Sequence, residues 1–343
     1  MGVVAEPGSE LGVDVCVVGS VGRDLLFQVE ALPRPGQTVL SADLATAIGG
    51  KGANQAAAAA RLGRRTALLA RVGGEDSADL VADLVGSGVL TATCLRTEGV
   101  ASQHAVLLVA PDGENMIAVS QGASARLSPR DVEEHAALIR SAHVVLLQQE
   151  IPAETVAAAV AIAAGTMVMV SQDGSAPRRR PLVILNPAPS RPIAPEVLAA
   201  VDILVPNAGE LADLLGAAEP ETASQAIELL RGSNRLHVRC VIITLGAEGA
   251  LIATAPEDGA ELEIIHVPAP KVQVVDTVGA GDAFCGALAD ALARDIAADR
   301  PDDVDLVNAV RWATHAGALA VTRPGAQGGL PSAAEVSALL GPA

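Results

Sequence analysis

The sequence predicts an α/β protein in which a mostly parallel β-sheet carries helices on both faces. Short apolar runs of strand length alternate with longer helical segments, and this alternation is typical of parallel sheets. The chain has 343 residues, 50% of them hydrophobic, which is enough to bury a large core. No linker or internal repeat interrupts it, so we predict one domain over residues 14–341 and a flexible N-terminus at 1–13.

The composition argues against several classes of partner. The formal net charge is −17, aromatic residues make up 1% of the chain and tyrosine is absent, so nucleic acid and membrane surfaces are not expected partners. The four cysteines form no C-x-x-C pair, and the six histidines form no H-x-x-x-H pair. We therefore expect a cytoplasmic protein that binds small molecules.

The first third of the chain contains one hairpin-like segment among alternating strands and helices. A buried strand is predicted at 14–20, where a short apolar run ends in glycine and leads towards Asp24. Half-apolar runs at 25–47 flank Pro33-Arg34-Pro35-Gly36, which favours a hairpin. An alanine-rich helix then runs to about Leu62. Strands are predicted at 66–71 and 91–96, around a helix at 75–85.

A second hairpin is predicted at 105–110 and 115–120, so lid segments are expected at about 23–48 and 103–121. Ser128 and Pro129 resemble a capped helix start, and this helix is expected to reach about Arg140. The polar insert at 171–180 is interpreted as a solvated surface loop. The remaining predicted strands lie at 144–147, 167–170, 182–185, 203–205, 241–245, 250–254 and 261–267, and the remaining predicted helices at 153–164, 223–230 and 283–293.

The stretch from Val275 to Gly286 carries the clearest chemical signal. Small residues at Gly279, Ala280 and Gly281 allow close backbone approach, and the helix that follows offers unpaired amides at its positive end. Such a helix start binds anions, and Asp282 stands in its first turn. For an isolated motif, a glycine turn capped by Asp282 would be the simpler interpretation, but other parts of the chain favour a ligand site.

A second glycine loop, Gly49-Gly50-Lys51-Gly52-Ala53-Asn54, opens the alanine-rich helix. It lacks the spacing of a Walker A loop, and no G-x-G-x-x-G follows a strand. A tight turn explains the glycines, but not the presence of Lys51 and Asn54 together. Loops at the carboxyl ends of later strands bring further polar positions towards the Gly279 to Asp282 site, namely Asn207, Glu210, Thr244 and Gly246.

Taken together, five motifs in this order resemble the PfkB carbohydrate kinase family, the ribokinase-like kinases. They are Gly49 to Asn54, Asn186-Pro187-Ala188-Pro189, Asn207-x-x-Glu210, Asp276 to Asp282, and Thr322-Arg323-Pro324-Gly325-Ala326-Gln327. The resemblance implies a Rossmann-type sheet with a small β lid, which usually forms a homodimer interface. It also implies transfer of the ATP γ-phosphate to the 5-hydroxyl of a ribose-like sugar.

The resemblance also assigns roles to individual residues. Asp282 matches the catalytic base, and Gly279, Ala280 and Gly281, with the amide of Asp282, match the anion hole. The sugar-binding positions would be Gly22, Asp24, Gly50, Lys51, Gly52, Asn54, Glu150 and Asp282. The ATP-binding positions would be Asn207, Glu210, Thr244, Gly246, Gly249, Gly281 and Thr314, with Asn207 and Glu210 linked to Mg²⁺. A monovalent cation such as K⁺ would be held by Asp276, Val278, Ala320, Arg323, Gly325 and Gly329.

One departure from the family pattern concerns the sugar loop. The family motif is G-S-x-N-x-D, whereas this chain has Gly22 at the asparagine position. We expect a gap there, and ribose to be phosphorylated with looser discrimination among pentoses. Alternatives are a kinase for another pentose or a nucleoside, and a sensor without catalytic activity. A sensor should have lost Asp282 or the anion-hole glycines, and both are intact.

Overall fold

The computed structural model describes residues 12–111, 114–165, 180–232, 238–255, 261–298 and 305–341. The strands are β1 (Val15–Val18), β2 (Gly22–Val29), β3 (Ser41–Gly49), β4 (Thr66–Gly73), β5 (Cys94–Thr97), β6 (Gln103–Val109), β7 (Asn115–Ser120), β8 (Val144–Leu147), β9 (Leu182–Leu185), β10 (Ile203–Leu204), β11 (Cys240–Thr244), β12 (Ala250–Thr254) and β13 (Glu263–Val267). The helices are α1 (Lys51–Arg61), α2 (Ser77–Gly86), α3 (Pro129–Glu134), α4 (Ala136–Ser141), α5 (Ala153–Ala164), α6 (Pro195–Ala200), α7 (Ala208–Leu215), α8 (Ala223–Gly232), α9 (Ala280–Ala297), α10 (Leu306–Ala320) and α11 (Ala333–Leu340).

Within the described part of the chain, the larger sheet has nine strands in the order β13-β12-β11-β10-β9-β8-β1-β4-β5. Pairing is parallel from β11 to β5, whereas β12 and β13 add antiparallel strands at one edge. The prediction of a mostly parallel sheet is therefore confirmed. The carboxyl ends of its parallel strands meet at one edge, where open α/β sheets bind ligands.

Both faces of this sheet are covered by helices. Along β1, Val15 and Val17 belong to one hydrophobic cluster and Cys16 and Val18 to the other, because successive strand residues point to opposite faces. Helices α1, α2, α9, α10 and α11 contribute to the first cluster, and α3 to α8 contribute to the second. All four β1 residues are fully buried, as expected of a central strand in a doubly covered sheet.

The two predicted hairpins combine into one smaller sheet, the lid sheet, in the order β3-β2-β6-β7. Strands β2 and β3 are antiparallel, as are β6 and β7, and the two hairpins join through parallel pairing of β2 with β6. This sheet is formed by the segments predicted as lids. The division of the chain into a single domain stays a prediction.

Several local predictions were incomplete. The helix expected to reach about Arg140 is two helices, because the backbone of His135 leaves the helical region (φ −108°, ψ 17°) and its Nδ1 bonds the Asp131 carbonyl oxygen. Helices α6, α7, α10 and α11 were not predicted. The predicted strand at 167–170 and most of the 171–180 insert lie outside the described residues. No helix in the described ranges is long and apolar enough to cross a membrane.

Candidate active site

The N-terminus of α9 is built around a glycine in the left-handed conformation. Gly279 has φ +79°, and a Cβ on it would lie 2.7 Å from the Ala326 Cα. Both constraints require glycine there. After this turn, the amides of Gly281 and Asp282 have no hydrogen-bond partner among the described residues. Two free amides at the positive end of an 18-residue helix are suited to binding an anion, and the anion site itself stays a prediction.

The carboxylate of Asp282 is buried and held by two amide side chains of α1. Asn54 Nδ2 donates to Asp282 Oδ2 at 3.0 Å, and Gln55 Nε2 donates to Asp282 Oδ1 at 3.0 Å. The structure therefore brings together Asp282 and Asn54, which were predicted, with Gln55, which was not. The signal in the sequence was a second amide residue next to Asn54, at the start of an otherwise alanine-rich helix.

Further amide groups surround this pair. Gln148 Nε2 donates to Gln55 Oε1 at 2.6 Å, Gln55 Nε2 also donates to Asn186 Oδ1 at 3.1 Å, and Gln327 Nε2 donates to Asn54 Oδ1 at 3.3 Å. The side chains of Gln148, Asn186 and Gln327 are all less than 10% exposed. Buried, mutually bonded polar groups of this kind hold one another in fixed positions.

Lys51 brings a positive charge to the site. Burial alone would lower the pKa of its ammonium, but the carboxylates of Asp282, Glu150 and Glu210 raise that pKa above its ordinary value. Burial raises the pKa of Asp282, an effect that Lys51 and the two α1 amides partly offset. Asp282 is thus a stronger proton acceptor than a solvated aspartate, with a cation close by.

Glu150 connects three elements on the side of the site that faces the lid sheet. Its Oε2 accepts hydrogen bonds from Ser20 Oγ, from the Lys51 amide at 2.9 Å and from Gln103 Nε2 at 3.3 Å. Gly52 contributes to the same packing, because a Cβ there would lie 2.6 Å from both the nitrogen and the carbonyl oxygen of Ser20. The glycine loop therefore packs directly on the loop that follows β1.

Asp24 faces the same region from β2. A Cβ on Gly49 would lie 2.1 Å from Asp24 Oδ1, so the carboxylate occupies space that only glycine leaves open. Burial raises the pKa of Asp24 to about 6, with further contributions from Glu150 and Asp282. Its oxygens have no hydrogen-bond partner in the described ranges. An unpaired, partly buried carboxylate of this kind is suited to accepting ligand hydroxyl groups.

The expected gap at Gly22 is not present, and that prediction was wrong. Gly22 pairs with Gln103 across β2 and β6, and a Cβ on Gly22 would lie 2.3 Å from the Gln103 carbonyl oxygen. The neighbouring strand fills the space that a side chain at this position would need.

On the other side of Asp282 lie two neighbouring cavities. One, of about 220 Å³, is lined by Lys51, Asn186, Ala188, Val205, Asn207, Glu210, Thr244, Thr277, Gly279, Gly281, Asp282 and Cys285. The second, of about 260 Å³, shares Asn207 and Thr244 with it and extends past Gly246 and Glu248. A ligand that spans both cavities would reach Asp282 with one end.

The residues predicted to bind ATP make different contacts within the protein. The side chains of Asn207 and Glu210 form a capping box at the start of α7, with bonds of 2.8 and 2.9 Å to each other's amides. Gly249 has φ +94°, and a Cβ there would lie 2.1 Å from the Val267 carbonyl oxygen. Thr314 is buried in α10 and lines neither cavity, and its hydroxyl donates to the Val310 carbonyl at 2.8 Å. Its adenine-side role stays a prediction.

Several of the predicted cation ligands lie close to one another. Asp276 accepts bonds from the amides of Val278 at 3.0 Å and Gly325 at 2.8 Å. A Cβ on Gly329 would lie 2.4 Å from the Ala320 carbonyl oxygen and 3.2 Å from that of Gly325. Two carbonyl oxygens therefore border the same small volume. The side chain of Arg323 instead pairs with Glu335, so only its backbone is available as a ligand.

A buried carboxylate beside free helix amides, at the carboxyl edge of a doubly covered sheet, is an arrangement suited to an α/β enzyme that transfers phosphoryl groups. The model of the pfkB family carbohydrate kinases matches residues 13–333. This chain belongs to that family and is a carbohydrate kinase.

The chain is also similar to individual characterised proteins. It is 33% identical over 329 residues to ribokinase from Bacillus subtilis, covering 95% of this chain and 99% of the relative. The structure of Arabidopsis thaliana ribokinase complexed with ribose and ATP matches with a TM-score of 0.79 and 31% identity, covering 96% of this chain and 99% of the other. Ribokinase from Giardia lamblia matches with a TM-score of 0.82 and 27% identity, covering 96% and 98%.

Proposed function

We propose that this protein transfers the γ-phosphoryl group of ATP to the 5-hydroxyl of D-ribose, giving D-ribose 5-phosphate and ADP. The observation that carries the proposal is the position of Asp282, whose carboxylate borders a cavity together with the free-amide end of α9. The similarity to ribokinases, one of them complexed with ribose and ATP, supports ribose as the acceptor.

In this proposal Asp282 is the general base. The sugar O5 forms a bond to the γ-phosphorus while the bond between that phosphorus and the β,γ-bridging oxygen breaks, and its electron pair leaves with ADP. The proton of the 5-hydroxyl passes to Asp282 and afterwards to solvent. Burial, by raising the pKa of Asp282, favours this transfer.

The amides at the start of α9 stabilise the charge that develops on the transferred group. Preorganised amides of this kind contribute a large share of the rate in phosphoryl transfer, where positioning and charge stabilisation dominate. Lys51 also lines the cavity and contributes a positive charge there. The free amides of the proposed anion hole are those of Gly281 and Asp282, and Gly279 shapes the turn that presents them. The Ala280 amide, also expected there, donates to the Thr277 carbonyl oxygen at 3.3 Å.

The sugar is proposed to lie between the lid sheet and the glycine loop. Asp24, Glu150 and Asn54 would contact its hydroxyl groups, with Gly22, Gly50 and Gly52 lining the pocket through their backbone. Asn207, Glu210, Thr244, Gly246, Gly249, Gly281 and Thr314 are proposed to bind ATP.

Mg²⁺ and K⁺ are proposed as cofactors. The described residues contain no group of three His, Cys, Asp or Glu side chains suited to a metal. Kinase Mg²⁺ is usually held by one or two carboxylates and the phosphates, and Glu210 at the cavity fits that pattern. When bound, Mg²⁺ neutralises phosphate charge. The convergence of the Ala320 and Gly325 carbonyl oxygens near Asp276 fits a monovalent cation.

We also propose that the lid sheet forms a homodimer interface. Its edge strands expose Leu44 on β3 and Ile117 and Val119 on β7, each about half accessible. Apolar patches on a sheet surface favour association with a second copy. The mass in solution, measured by light scattering for the wild type and for Ile117→Lys, tests this interface. The cytoplasm is the proposed location, since all four cysteines are unpaired.

The experiment that tests the main proposal is a substrate panel with ATP. ADP formation is measured with ribose, deoxyribose, other pentoses, hexoses and nucleosides, and ³¹P NMR locates the phosphate on the product. Preference for ribose with phosphorylation at O5 is expected. A preference for another pentose or for nucleosides would show that ribose is not the main substrate. Sugar binding without turnover would identify a sensor.

A further inference from the structure

The sugar side of the site contains a buried glutamine that the sequence motifs do not include. Gln103 begins β6, opposite Gly22 of β2, and only 3% of its surface is exposed. Its Nε2 donates to Glu150 Oε2 at 3.3 Å. Its Oε1 is shielded from solvent and has no hydrogen-bond partner among the described residues. A buried acceptor without a donor is rare in folded proteins and indicates an absent partner.

The position of Gln103 leaves room only for glycine at position 22. A Cβ on Gly22 would lie 2.3 Å from the Gln103 carbonyl oxygen and 2.7 Å from the Gln103 Cβ. A side chain at 22 is therefore incompatible with this pairing of β2 and β6. In this chain the amide beside Glu150 comes from β6, whereas the family motif G-S-x-N-x-D would place an amide on β2.

We propose that Gln103 is a sugar-recognition residue that takes the place of the asparagine absent at position 22. Its Nε2 positions the Glu150 carboxylate, and its Oε1 accepts a hydrogen bond from a sugar hydroxyl. This inference rests on the proposed sugar kinase function and identifies a further residue of that same site.

The orientation of the amide follows from the charge of Glu150. An ionised carboxylate only accepts hydrogen bonds, so the nitrogen of Gln103 must face it and the oxygen must face away. All three donors to this carboxylate, Ser20, the Lys51 amide and Gln103, bond to Oε2. Glu150 Oε1 has no partner in the described ranges. A sugar hydroxyl that donates to Glu150 Oε1 would then share this carboxylate with the Gln103 amide.

The test uses Gln103→Met, which keeps the length and volume of the side chain and removes both hydrogen-bonding atoms. The KM for ribose is expected to rise about tenfold, as for loss of one or two hydrogen bonds, while kcat and the KM for ATP change little. The shift in melting temperature that ribose induces without ATP should shrink accordingly. If Gln103 only filled space between the strands, Gln103→Met would preserve that role and leave the ribose KM unchanged.

The matched control is His104→Ala, since His104 follows Gln103 in β6 and points to the opposite face of the strand. Its ribose KM should equal that of the wild type. A folded Gln103→Met protein with a ribose KM within twofold of the wild type would overturn the inference alone. A wild-type protein that phosphorylates no sugar would overturn the proposed function, and the Gln103 inference with it.

Discussion

Gln55 Nε2 donates a hydrogen bond of 3.0 Å to Asp282 Oδ1, joining two residues 227 positions apart in the chain. The ionised carboxylate can only accept, so the amide nitrogen of Gln55 must face Asp282 and its oxygen must face Gln148, which donates to it at 2.6 Å. The orientation of the proposed base is therefore fixed by a side chain that does not need to touch the substrate.

Gln55→Leu should lower kcat roughly tenfold or more, because the base loses the bond that orients it and favours its charged form. Loss of that donor raises the pKa of Asp282 further, so the acidic limb of the kcat profile should move to higher pH. Steady-state kinetics between pH 5 and 9 measure both effects. Gln225→Leu, an exposed glutamine on α8, is the control. An unchanged pH profile in folded Gln55→Leu would argue against the positioning role.

Asp282→Asn keeps the shape of the site and removes the proton acceptor. We expect kcat to fall roughly 10²-fold or more, with the affinity for ATP little changed. Rapid-quench measurements of the chemical step, together with ATP titration calorimetry, separate the two quantities. A variant that retains most of the wild-type kcat would exclude Asp282 as the base.

Asp24 is expected to make the affinity for ribose depend on pH. Burial, with Glu150 and Asp282, raises its pKa to about 6, so the KM for ribose should increase as the pH falls through about 6 and the carboxylate loses its charge. The folded-state pKa is above the ordinary value of about 3.9. Protonated Asp24 therefore contributes to the free energy of unfolding. This contribution is fully present below about pH 3.9 and is lost as the pH rises through about 6.

Protonation of Asp24 therefore cannot unfold the protein over this range, and the loss of sugar affinity should occur without loss of structure. Asp24→Asn should raise the ribose KM at neutral pH and remove its dependence near pH 6. Parallel circular dichroism and kinetic measurements between pH 5 and 8 test this. A wild-type ribose KM that is constant over the range would contradict the assignment.

Much of the fold was predictable because strands in a doubly covered sheet are short apolar runs. Strands β8, β9 and β12 have the predicted bounds, as does α5. Helix α7 was not predicted because its first residues, Asn207 to Glu210, had been interpreted only as a ligand motif. The same spacing is that of a capping box, and both side chains are used in that way.

The site was predictable where its residues stand in a local pattern. Asp282, Gly279 and Lys51 lie in glycine-rich loops at helix starts, and such loops indicate anion binding. Gln55 and Gln148 were missed because their partners lie far away in the chain, and no local spacing encodes those contacts. The gap at Gly22 was wrongly predicted for the same reason, since the obstructing atoms belong to Gln103 on another strand.

Potassium should raise the activity of this enzyme over that in a buffer of bulky organic cations. Asp276 bonds the amides of Val278 and Gly325 beside the anion site, so a cation there would stabilise the backbone that leads into α9. Initial rates in potassium chloride and tetramethylammonium chloride of equal ionic strength provide the measurement. Asp276→Asn should reduce the activation. Equal wild-type rates in the two salts would argue against the cation site.

The final prediction concerns Gly22. Gly22→Asn should destabilise the protein by about 1–3 kcal/mol, the usual cost of forcing extra atoms into a packed region. The new Cβ would lie 2.3 Å from a backbone oxygen of Gln103. Removing this clash requires movement of a strand and not only of a side chain. Because β2 also carries Asp24, that movement should raise the KM for ribose. Urea unfolding and steady-state kinetics measure the two effects.

Gly86→Asn is the matched control, since no heavy atom lies within 4 Å of a Cβ there, and its stability should change by no more than about 0.5 kcal/mol. A Gly22→Asn protein as stable as the wild type, with a lower ribose KM, would mean that β2 and β6 separate readily enough for an asparagine at position 22 to contact the sugar.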